Sequence, residues 1–233
     1  SYFMQNTMFP INDSILSEVK YSPFAYDKHA KLFYTDDITS PSKDREKFID
    51  ESIDLVKKIL DISQGKALIL FTSKADMNAV YTRLKALNLN YTLIKQNEIS
   101  SQQQLIHKFK QDVSSVLLGT GVFWEGISIE GIALSNLIIY KLPFPLPEPI
   151  INEKCKRSKN PLEEVLVPEM IIKLKQGVGR LIRNKTDKGI VSIIDSRLGD
   201  KSKASYKEKV WQALPIKQRT NSLKELQSFY DNL

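Results

Sequence analysis

Residues 176–183 read QGVGRLIR and combine helical periodicity with two glycines and two arginines. At about 100° per residue, the apolar and polar side chains of this region fall on opposite faces of a helix. The apolar face carries Ile171, Leu174, Val178 and Leu181. The polar face carries Gln176, Arg180 and Arg183. Two glycines cost a helix about 1 kcal/mol each relative to alanine, so we expect another backbone or a ligand to come close here.

The two arginines of this segment suit a phosphate ligand. A guanidinium group is planar, donates two parallel hydrogen bonds and keeps its charge. The same spacing also fits an amphipathic helix whose basic face meets only solvent. Periodicity alone does not separate these two interpretations.

The pattern Q-x-x-G-R-x-x-R resembles the sixth motif of the superfamily-two helicases, and QGVGRLIR is similar to its version in the DinG and XPD branch. In that family the motif lies on the second of two RecA-like motor domains and faces ATP held mainly by the first. The resemblance implies that Arg180 and Arg183 approach the terminal phosphates, one or both as an arginine finger. It also places Gln176 and Gly179 on the ATP side. Such charge neutralisation is worth roughly three to five orders of magnitude in rate.

The composition is that of a globular and moderately basic chain. Hydrophobic residues make up 42% of the 233 residues, which is enough for a substantial core. A net charge of +7 suits a nucleic-acid or nucleotide partner without requiring one. The single cysteine, Cys155, excludes an internal disulfide framework and favours a cytoplasmic setting. No apolar run reaches the ~20 residues that cross a bilayer, so we expect no membrane partner.

Apolar runs alternate with amphipathic segments along the chain. The patterns predict strands over residues 30–34, 67–71, 91–94, 115–118, 134–142 and 189–195. They predict helices over residues 44–63, 75–87 and 102–110, at the arginine-bearing segment, and twice between 203 and 233 with a break near Pro215. Ser40 or Ser42 could cap the first of these helices, and residues 151–160 are expected to form a solvated loop or a DNA-facing edge. This rhythm predicts an α/β fold, a doubly wound and mostly parallel sheet with helices on both faces. The helicase resemblance makes that sheet RecA-like.

Thr72, Ser73 and Lys74 follow the apolar run at 67–71. Hydroxyl groups and a cation at the carboxyl end of a buried strand, where a helix begins, can hold an anion. Ser73 is equally well placed to cap that helix. The run is similar to the helicase motif that contacts the nucleic-acid backbone, which implies a DNA contact at all three residues.

Residues 119–128 read GTGVFWEGIS and place three glycines around two adjacent aromatic residues. The string F-W-E-G resembles the DinG and XPD branch, in which this loop couples the ATP cleft to the DNA channel. The resemblance implies that Thr120 contacts the DNA backbone and that Glu125 and Gly126 belong to the ATP side. Trp124 is either a core residue or a platform for a DNA base.

Two shorter features extend the resemblance. The string K-L-P-F at 141–144 is similar to DinG, and a D-x-R turn follows the predicted strand at 189–195. Asp195 in that turn could orient an arginine of the sixth motif, because a carboxylate can fix a guanidinium plane. A plain surface turn is the alternative. Ser128 departs from the family, which usually has an acidic residue there.

A complete motor of this kind needs a phosphate-cradling loop ending in Gly-Lys-Thr or Gly-Lys-Ser and a carboxylate pair for magnesium. Neither pattern occurs in this sequence, which begins with Ser1. We therefore expect a fragment. Residues 1–43 would lead in from a first motor domain, and residues 44–233 would form the second RecA-like domain. ATP and Mg²⁺ would be bound mainly by the first domain, and an iron-sulfur cluster has no ligands within this fragment.

The resemblance implies the C-terminal motor domain of a DinG-like ATP-dependent DNA helicase, inactive alone, whose parent acts on single-stranded DNA in DNA repair. An alternative is an ATP-regulated, DinG-type 3'-5' exonuclease whose motor half does not unwind DNA. A third interpretation is a non-catalytic module that binds single strands through its basic surface. That module leaves the two-arginine face unexplained.

Overall fold

Seven strands form a single sheet in the computed structural model, which describes residues 26–97, 99–124, 134–182 and 186–233. In chain order they are β1 (Ala30–Tyr34), β2 (Ala67–Phe71), β3 (Leu93–Lys95), β4 (Val116–Thr120), β5 (Asn136–Tyr140), β6 (Gly189–Ile193) and β7 (Arg219–Thr220). Their order in the sheet is β3-β4-β2-β5-β6-β1-β7, and each neighbouring pair is parallel. The predicted α/β fold with a parallel, doubly wound sheet is confirmed.

Helices cover both faces of this sheet. They are α1 (Tyr26–His29), α2 (Arg45–Ser63), α3 (Lys74–Ala86), α4 (Gln102–Gln111), α5 (Pro149–Arg157), α6 (Val167–Val178), α7 (Lys207–Ala213) and α8 (Leu223–Asp231). Buried residues of α2, α3 and α8 pack on one face, and those of α4, α6 and α7 pack on the other. Alternate residues of β2 therefore enter different cores, with Leu68 and Leu70 on the α6 side and Ile69 and Phe71 on the α2 side.

The four central strands are buried along their whole length. Helices on both faces leave no side of these strands in water, which explains their continuous apolar runs. The predicted bounds of β1 and β2 are confirmed exactly as residues 30–34 and 67–71. The bounds of α2, α3 and α4 are confirmed to within one residue.

The cap predicted for α2 was wrong. Asp44 is the N-cap, and its side chain accepts a hydrogen bond from the backbone N of Lys47. Ser40 and Ser42 lie further upstream, where their hydroxyl groups hydrogen-bond to each other. A carboxylate also suits the positive end of the helix dipole.

Three other local predictions need correction. β3 begins at Leu93 rather than at 91, in a register that pairs Leu93 with Val116 of β4. Most of the expected loop at 151–160 is helix α5, which buries none of its residues and so leaves no apolar stripe in the sequence. A short strand, β7, separates α7 from α8 and pairs with β1.

Strand β1 comes from the segment that precedes residue 44, yet it lies inside the sheet between β6 and β7. Ala30 pairs with Gly189 and Tyr34 with Ile193, so the contact with β6 runs the full length of the strand. The predicted boundary between a lead-in segment and the second motor domain, at residues 43/44, therefore assigns β1 to the lead-in segment although β1 belongs to the same sheet. No helix within the described ranges is long and apolar enough to span a membrane.

Candidate functional site at the carboxyl edge of the sheet

The carboxyl ends of the parallel strands meet at one edge of the sheet. Phe71, at the end of β2, is in register with Thr120 of β4 and Tyr140 of β5. The connections that leave these strands carry the residues that the sequence singles out. In parallel α/β sheets, ligands bind at this edge. We therefore treat the edge as the candidate functional site.

Trp124 lies in a 3-10 turn, Gly121–Trp124, directly after β4 and is fully buried. Its indole Nε1 donates a hydrogen bond of 2.8 Å to the carbonyl oxygen of Phe71. Of the two roles considered from the sequence, the core role is the one that this burial supports. A base could stack on the ring only if the ring left the core.

The glycine in the last turn of α6, Gly177, makes room for the ring of Trp124. A Cβ atom at this position would lie 2.8 Å from Cζ3 of Trp124, closer than real Cβ contacts come. The close neighbour is thus a buried side chain of the protein. At Gly179 a Cβ atom would meet the carbonyl oxygens of Lys175 and Gln176 at 3.3 and 3.5 Å, both in the preceding turn of the chain.

The sequence places Arg180 on a helix, but α6 ends at Val178, so Arg180 lies two residues beyond the helix. The backbone N–H of Arg180 bonds to the carbonyl oxygen of Gly177, which continues the chain as a tight turn. Its Nε and Nη2 donate to the carbonyl oxygen of Trp124 at 3.2 and 2.9 Å. The segments QGVGRLIR and F-W-E-G are therefore in direct contact. Gln176 is exposed on the preceding turn.

Some predicted site residues lie outside the described residues. They are Glu125, Gly126 and Arg183, together with the departure at Ser128. Their predicted roles stay predictions.

Ser73 caps α3, with its Oγ accepting from the backbone N–H groups of Ala75 and Asp76 at 3.2 and 3.4 Å. The capping role considered from the sequence is therefore observed. Thr72 lies between this cap and β2, and Lys74 is the first residue of α3.

A buried carboxylate lies next to that cap. Asp76 accepts hydrogen bonds from Nε of Arg45 at 2.8 Å and from Nζ of Lys141 at 2.6 Å. Lys141 follows β5 in a left-handed backbone conformation, with φ at 69°. The ion pairs of Asp76 were not predicted from the sequence, although Lys141 belongs to the K-L-P-F string. An acidic residue in the first turn of a helix was the available signal.

Thr120 ends β4 and is nearly buried. Its backbone N and its Oγ1 both donate to Oε1 of Gln96, at 2.7 and 3.2 Å. Gln96 follows β3 and was not singled out from the sequence. A cavity of about 340 Å³ opens beside it, lined by polar and cationic side chains that include Lys74, Asn78 and Lys95. Lys74 therefore lines this cavity directly, and Thr120 is linked to it through Gln96.

Asp195 is fully buried and pairs with Arg197 of its own turn, so the turn is not a plain surface turn. A role of Asp195 toward an arginine of the sixth motif stays a prediction. The Asp195 carboxylate accepts from Nε and Nη2 of Arg197 at 2.9 and 2.6 Å. It also accepts from the backbone N–H of Leu142, so the D-x-R turn holds the K-L-P-F string. The Arg197 guanidinium lies 5.1 Å from the centre of the Phe144 ring. Burial acts to lower the pKa of Arg197, but the hydrogen bonds and charge of Asp195 outweigh it and raise that pKa.

Comparison with known proteins identifies the class. Residues 56–217 match the family model described as the helicase C-terminal domain. The chain belongs to this family. Its relatives include DinG and YoaA proteins. The chain is 33% identical over 227 residues to the ATP-dependent DNA helicase YoaA of Haemophilus influenzae. This alignment covers 94% of this chain and 34% of the relative.

Two further relatives differ in their names. The 3'-5' exonuclease DinG of Bacillus subtilis is 33% identical over 215 residues, which cover 88% of this chain and 22% of the relative. The ATP-dependent DNA helicase DinG of Photobacterium profundum is 35% identical over 188 residues, which cover 76% of this chain and 27% of the relative. The chain thus spans about a third or less of the length of these relatives.

Solved structures confirm the RecA-like fold. An XPD helicase aligns with a TM-score of 0.62 and 22% identity over 79% of this chain and 34% of that structure. The C-terminal domain of the DEAD-box protein Dbp5 aligns with a TM-score of 0.54 and 16% identity over 89% of this chain and 99% of that structure. The resemblance to the DinG and XPD branch drawn from the sequence is confirmed.

Proposed function

We propose that this chain is the C-terminal motor domain of a DinG-like, ATP-dependent DNA helicase that translocates on single-stranded DNA. The observation that carries the proposal is the contact between Arg180 and the carbonyl oxygen of Trp124. It brings the arginine-bearing segment and the F-W-E-G loop together at the carboxyl edge. The relatives are about three times longer or more, so the other motor domain would belong to the rest of the parent protein.

On the ATP side, Arg180 and Arg183 would complete the site when the two motor domains close. ATP supplies the phosphoryl group whose departure develops negative charge, and a guanidinium group stabilises that charge. Exposed Gln176 and the small Gly179 leave room for the nucleotide, and Glu125 and Gly126 would join this side. Mg²⁺ would be bound by the first motor domain. No group of three or more His, Cys, Asp or Glu within the described ranges could hold a metal ion.

On the DNA side, the grip would come from the 72–74 segment and from Thr120. Lys74 lines a cavity together with Lys95 and Gln96, and Gln96 accepts hydrogen bonds from Thr120. The two lysines suit a phosphate backbone. Ser73 and Thr120 supply hydroxyl groups in addition to their observed hydrogen bonds. The DinG resemblance extends the proposal to a role in DNA repair. A motor that only regulates an exonuclease is not favoured, because the YoaA relative and the Photobacterium DinG are both named helicases.

The proposal is tested by DNA-stimulated ATP hydrolysis of the parent protein. We expect Arg180→Ala and Arg183→Ala each to lower turnover by about a hundredfold or more, with the melting temperature preserved. Arg83→Ala is the matched control, because Arg83 of α3 pairs with Asp50 and Glu46 of α2, away from the proposed ATP and DNA segments. Unchanged turnover in the Arg180→Ala protein would contradict the proposal. The isolated chain should hydrolyse no ATP.

A further inference from the structure

Trp124 touches three elements through three different groups. The indole N–H bonds to the end of β2, the six-membered ring packs on α6, and the backbone carbonyl accepts the Arg180 guanidinium. We propose that Trp124 is a positioning residue that sets the place of Arg180 and ties it to the 72–74 segment. This inference rests on the function proposed above and deepens it.

The first link runs from Trp124 to β2. The carbonyl oxygen of Phe71, which accepts the indole N–H, belongs to the residue immediately before Thr72. A buried carbonyl that loses its donor is costly, so this bond resists separation of the two segments. Any displacement of the 72–74 segment on binding DNA therefore acts on the indole ring.

The second link runs from the indole ring to α6. Gly177 gives the ring its space, since a Cβ atom there would lie 2.8 Å from Cζ3 and 3.1 Å from Cε3 of Trp124. Leu70 of β2 lies on the same side, 3.5 Å from that Cβ position. Close-packed groups transmit displacement because they cannot absorb it. A shift of the ring therefore shifts the last turn of α6, three residues before Arg180.

The third link runs from the backbone of Trp124 to Arg180. The guanidinium donates through Nε and Nη2 to one carbonyl oxygen, at 3.2 and 2.9 Å. That oxygen moves with the turn that carries the indole ring. The ring thus acts on the last turn of α6, which leads into Arg180, and the carbonyl acts on the guanidinium group of Arg180. DNA contact at one segment would be coupled to the orientation of the arginine at the other.

The second tryptophan of the chain provides a matched control. Trp211, in α7, packs edge-on against Tyr34 with ring centres 5.4 Å apart and under Arg219 at 4.7 Å. It is nearly buried, and neither Tyr34 nor Arg219 is proposed to bind ATP or DNA. Replacement of either tryptophan by phenylalanine keeps one aromatic ring but removes the fused second ring and the indole N–H. Only the change at Trp124 removes the hydrogen bond to Phe71 and alters the packing on Gly177, which are the two links made by the side chain.

The test compares the parent protein with its Trp124→Phe and Trp211→Phe variants. The readout is the ratio of ATP turnover with saturating single-stranded DNA to turnover without DNA. We expect Trp124→Phe to lower this ratio at least tenfold and Trp211→Phe to leave it within twofold. Melting temperatures measured in parallel report the loss of core packing in both variants.

A second variant approaches the same contact from the other side. Gly177→Ala places a methyl group against the Trp124 ring, and we expect it to lower the DNA-stimulation ratio about as much as Trp124→Phe. In the double variant the second change should add little, because the contact is already lost.

The outcomes separate the inference from the function on which it rests. Trp124→Phe and Gly177→Ala could each lower the melting temperature and still show the same DNA-stimulation ratio as the Trp211→Phe protein. In that case Trp124 is a core residue only, and the inference is overturned. If Arg180→Ala leaves turnover unchanged, the proposed function fails instead. Full support requires loss of turnover in Arg180→Ala together with loss of the ratio in Trp124→Phe and Gly177→Ala.

Discussion

Arg180 and Arg197 lie at the same edge of the sheet but are held in different ways. Arg197 is clamped by both oxygens of the buried Asp195 carboxylate and covered by the Phe144 ring. Arg180 donates to a backbone carbonyl of a turn. Both arginines are charged donors, but Arg197 also pairs with an opposite charge through two oxygens, which adds electrostatic attraction and fixes the plane of its guanidinium group. Arg197 is therefore fixed in the framework, whereas the place of Arg180 depends on the turn that carries Trp124.

This difference separates two uses of one side chain. Asp195 also accepts the backbone N–H of Leu142, so the Arg197 pair joins the ends of β5 and β6. Its loss should weaken the fold. Arg180 lies within the segment that resembles a helicase motif, and its loss should weaken catalysis. Substitutions at the two positions should therefore change different measurements.

The largest effect is expected for Asp195→Ala. It leaves the Arg197 guanidinium without its carboxylate and the Leu142 N–H without an acceptor, which should lower the free energy of unfolding by about 3–5 kcal/mol. Urea unfolding measures this loss. Asp37→Ala is the control, because its pair with Lys201 is exposed and should contribute less than about 1 kcal/mol. Equal losses in the two variants would contradict the role given to Asp195.

The next effect concerns Arg180→Lys, assayed in the parent protein. Lysine keeps the charge but loses the planar fork, so we expect turnover with DNA to fall about a hundredfold, equivalent to about 2.7 kcal/mol in the barrier. Arg197→Lys should instead lower the melting temperature, with a smaller change in turnover. A loss of turnover from Arg197→Lys as large as that from Arg180→Lys would remove the distinction between the two arginines.

A smaller effect is expected at Ser73, where one hydroxyl group has two candidate uses. Ser73→Ala should lower the free energy of unfolding by about 1 kcal/mol through loss of the cap on α3, and Ser73→Gly should lower it by only a few tenths. The concentration of DNA that gives half-maximal ATPase stimulation measures the other use. If Ser73→Gly leaves that concentration unchanged, Ser73 is a cap and not a DNA contact.

The smallest effect is a dependence of stability on alkaline pH. Burial raises the pKa of Tyr140 above its ordinary value of 10.0, and it also raises the pKa of Tyr206 and Tyr230. The unfolded chain then releases these protons first, so stability is fully present below about pH 10 and declines as the pH rises toward the folded-state pKa values. Tyr140→Phe should flatten this decline in urea unfolding between pH 9 and 11. An equally steep decline in the variant would contradict the assignment to Tyr140.

The same pH range leaves the arginine comparison intact. Asp195 raises the pKa of Arg197 against the opposing effect of burial, so the pair stays charged where the tyrosines begin to titrate. Stability lost between pH 9 and 11 therefore does not come from this pair. Asp195→Ala should lower stability at both ends of that range.

Much of the fold could be predicted because its signals are local. β2 is a continuous apolar run between turn residues, and α2 has a clear apolar stripe, so their bounds were confirmed. Helix α5 gave no such signal because none of its residues is buried. The two-residue strand β7 depends on pairing with β1, which lies far away in the sequence. Local patterns do not contain that information.

The candidate site divides in the same way. Its two main segments were found from glycines, arginines and aromatic residues within short strings. The contact that joins the two segments could not be predicted. The glycines indicate a close neighbour of α6, but the sequence does not show that the neighbour of Gly177 is the ring of Trp124 rather than a ligand or another backbone. The pairing of Asp195 with Arg197 was also not predicted, since the sequence offered several arginines and no distances. Such pairings depend on the tertiary structure.

The position of β1 has a practical consequence for work with shorter fragments. A fragment that begins at residue 44 would lack the strand that pairs with both β6 and β7. The backbone of β6, which is buried in the sheet, would become an exposed edge able to pair with other molecules and nucleate aggregation. The pairing of β1 with β6 also spans most of the sequence, so this part of the sheet should close late during folding. Fragments meant to stay monomeric should therefore include residues 30–34.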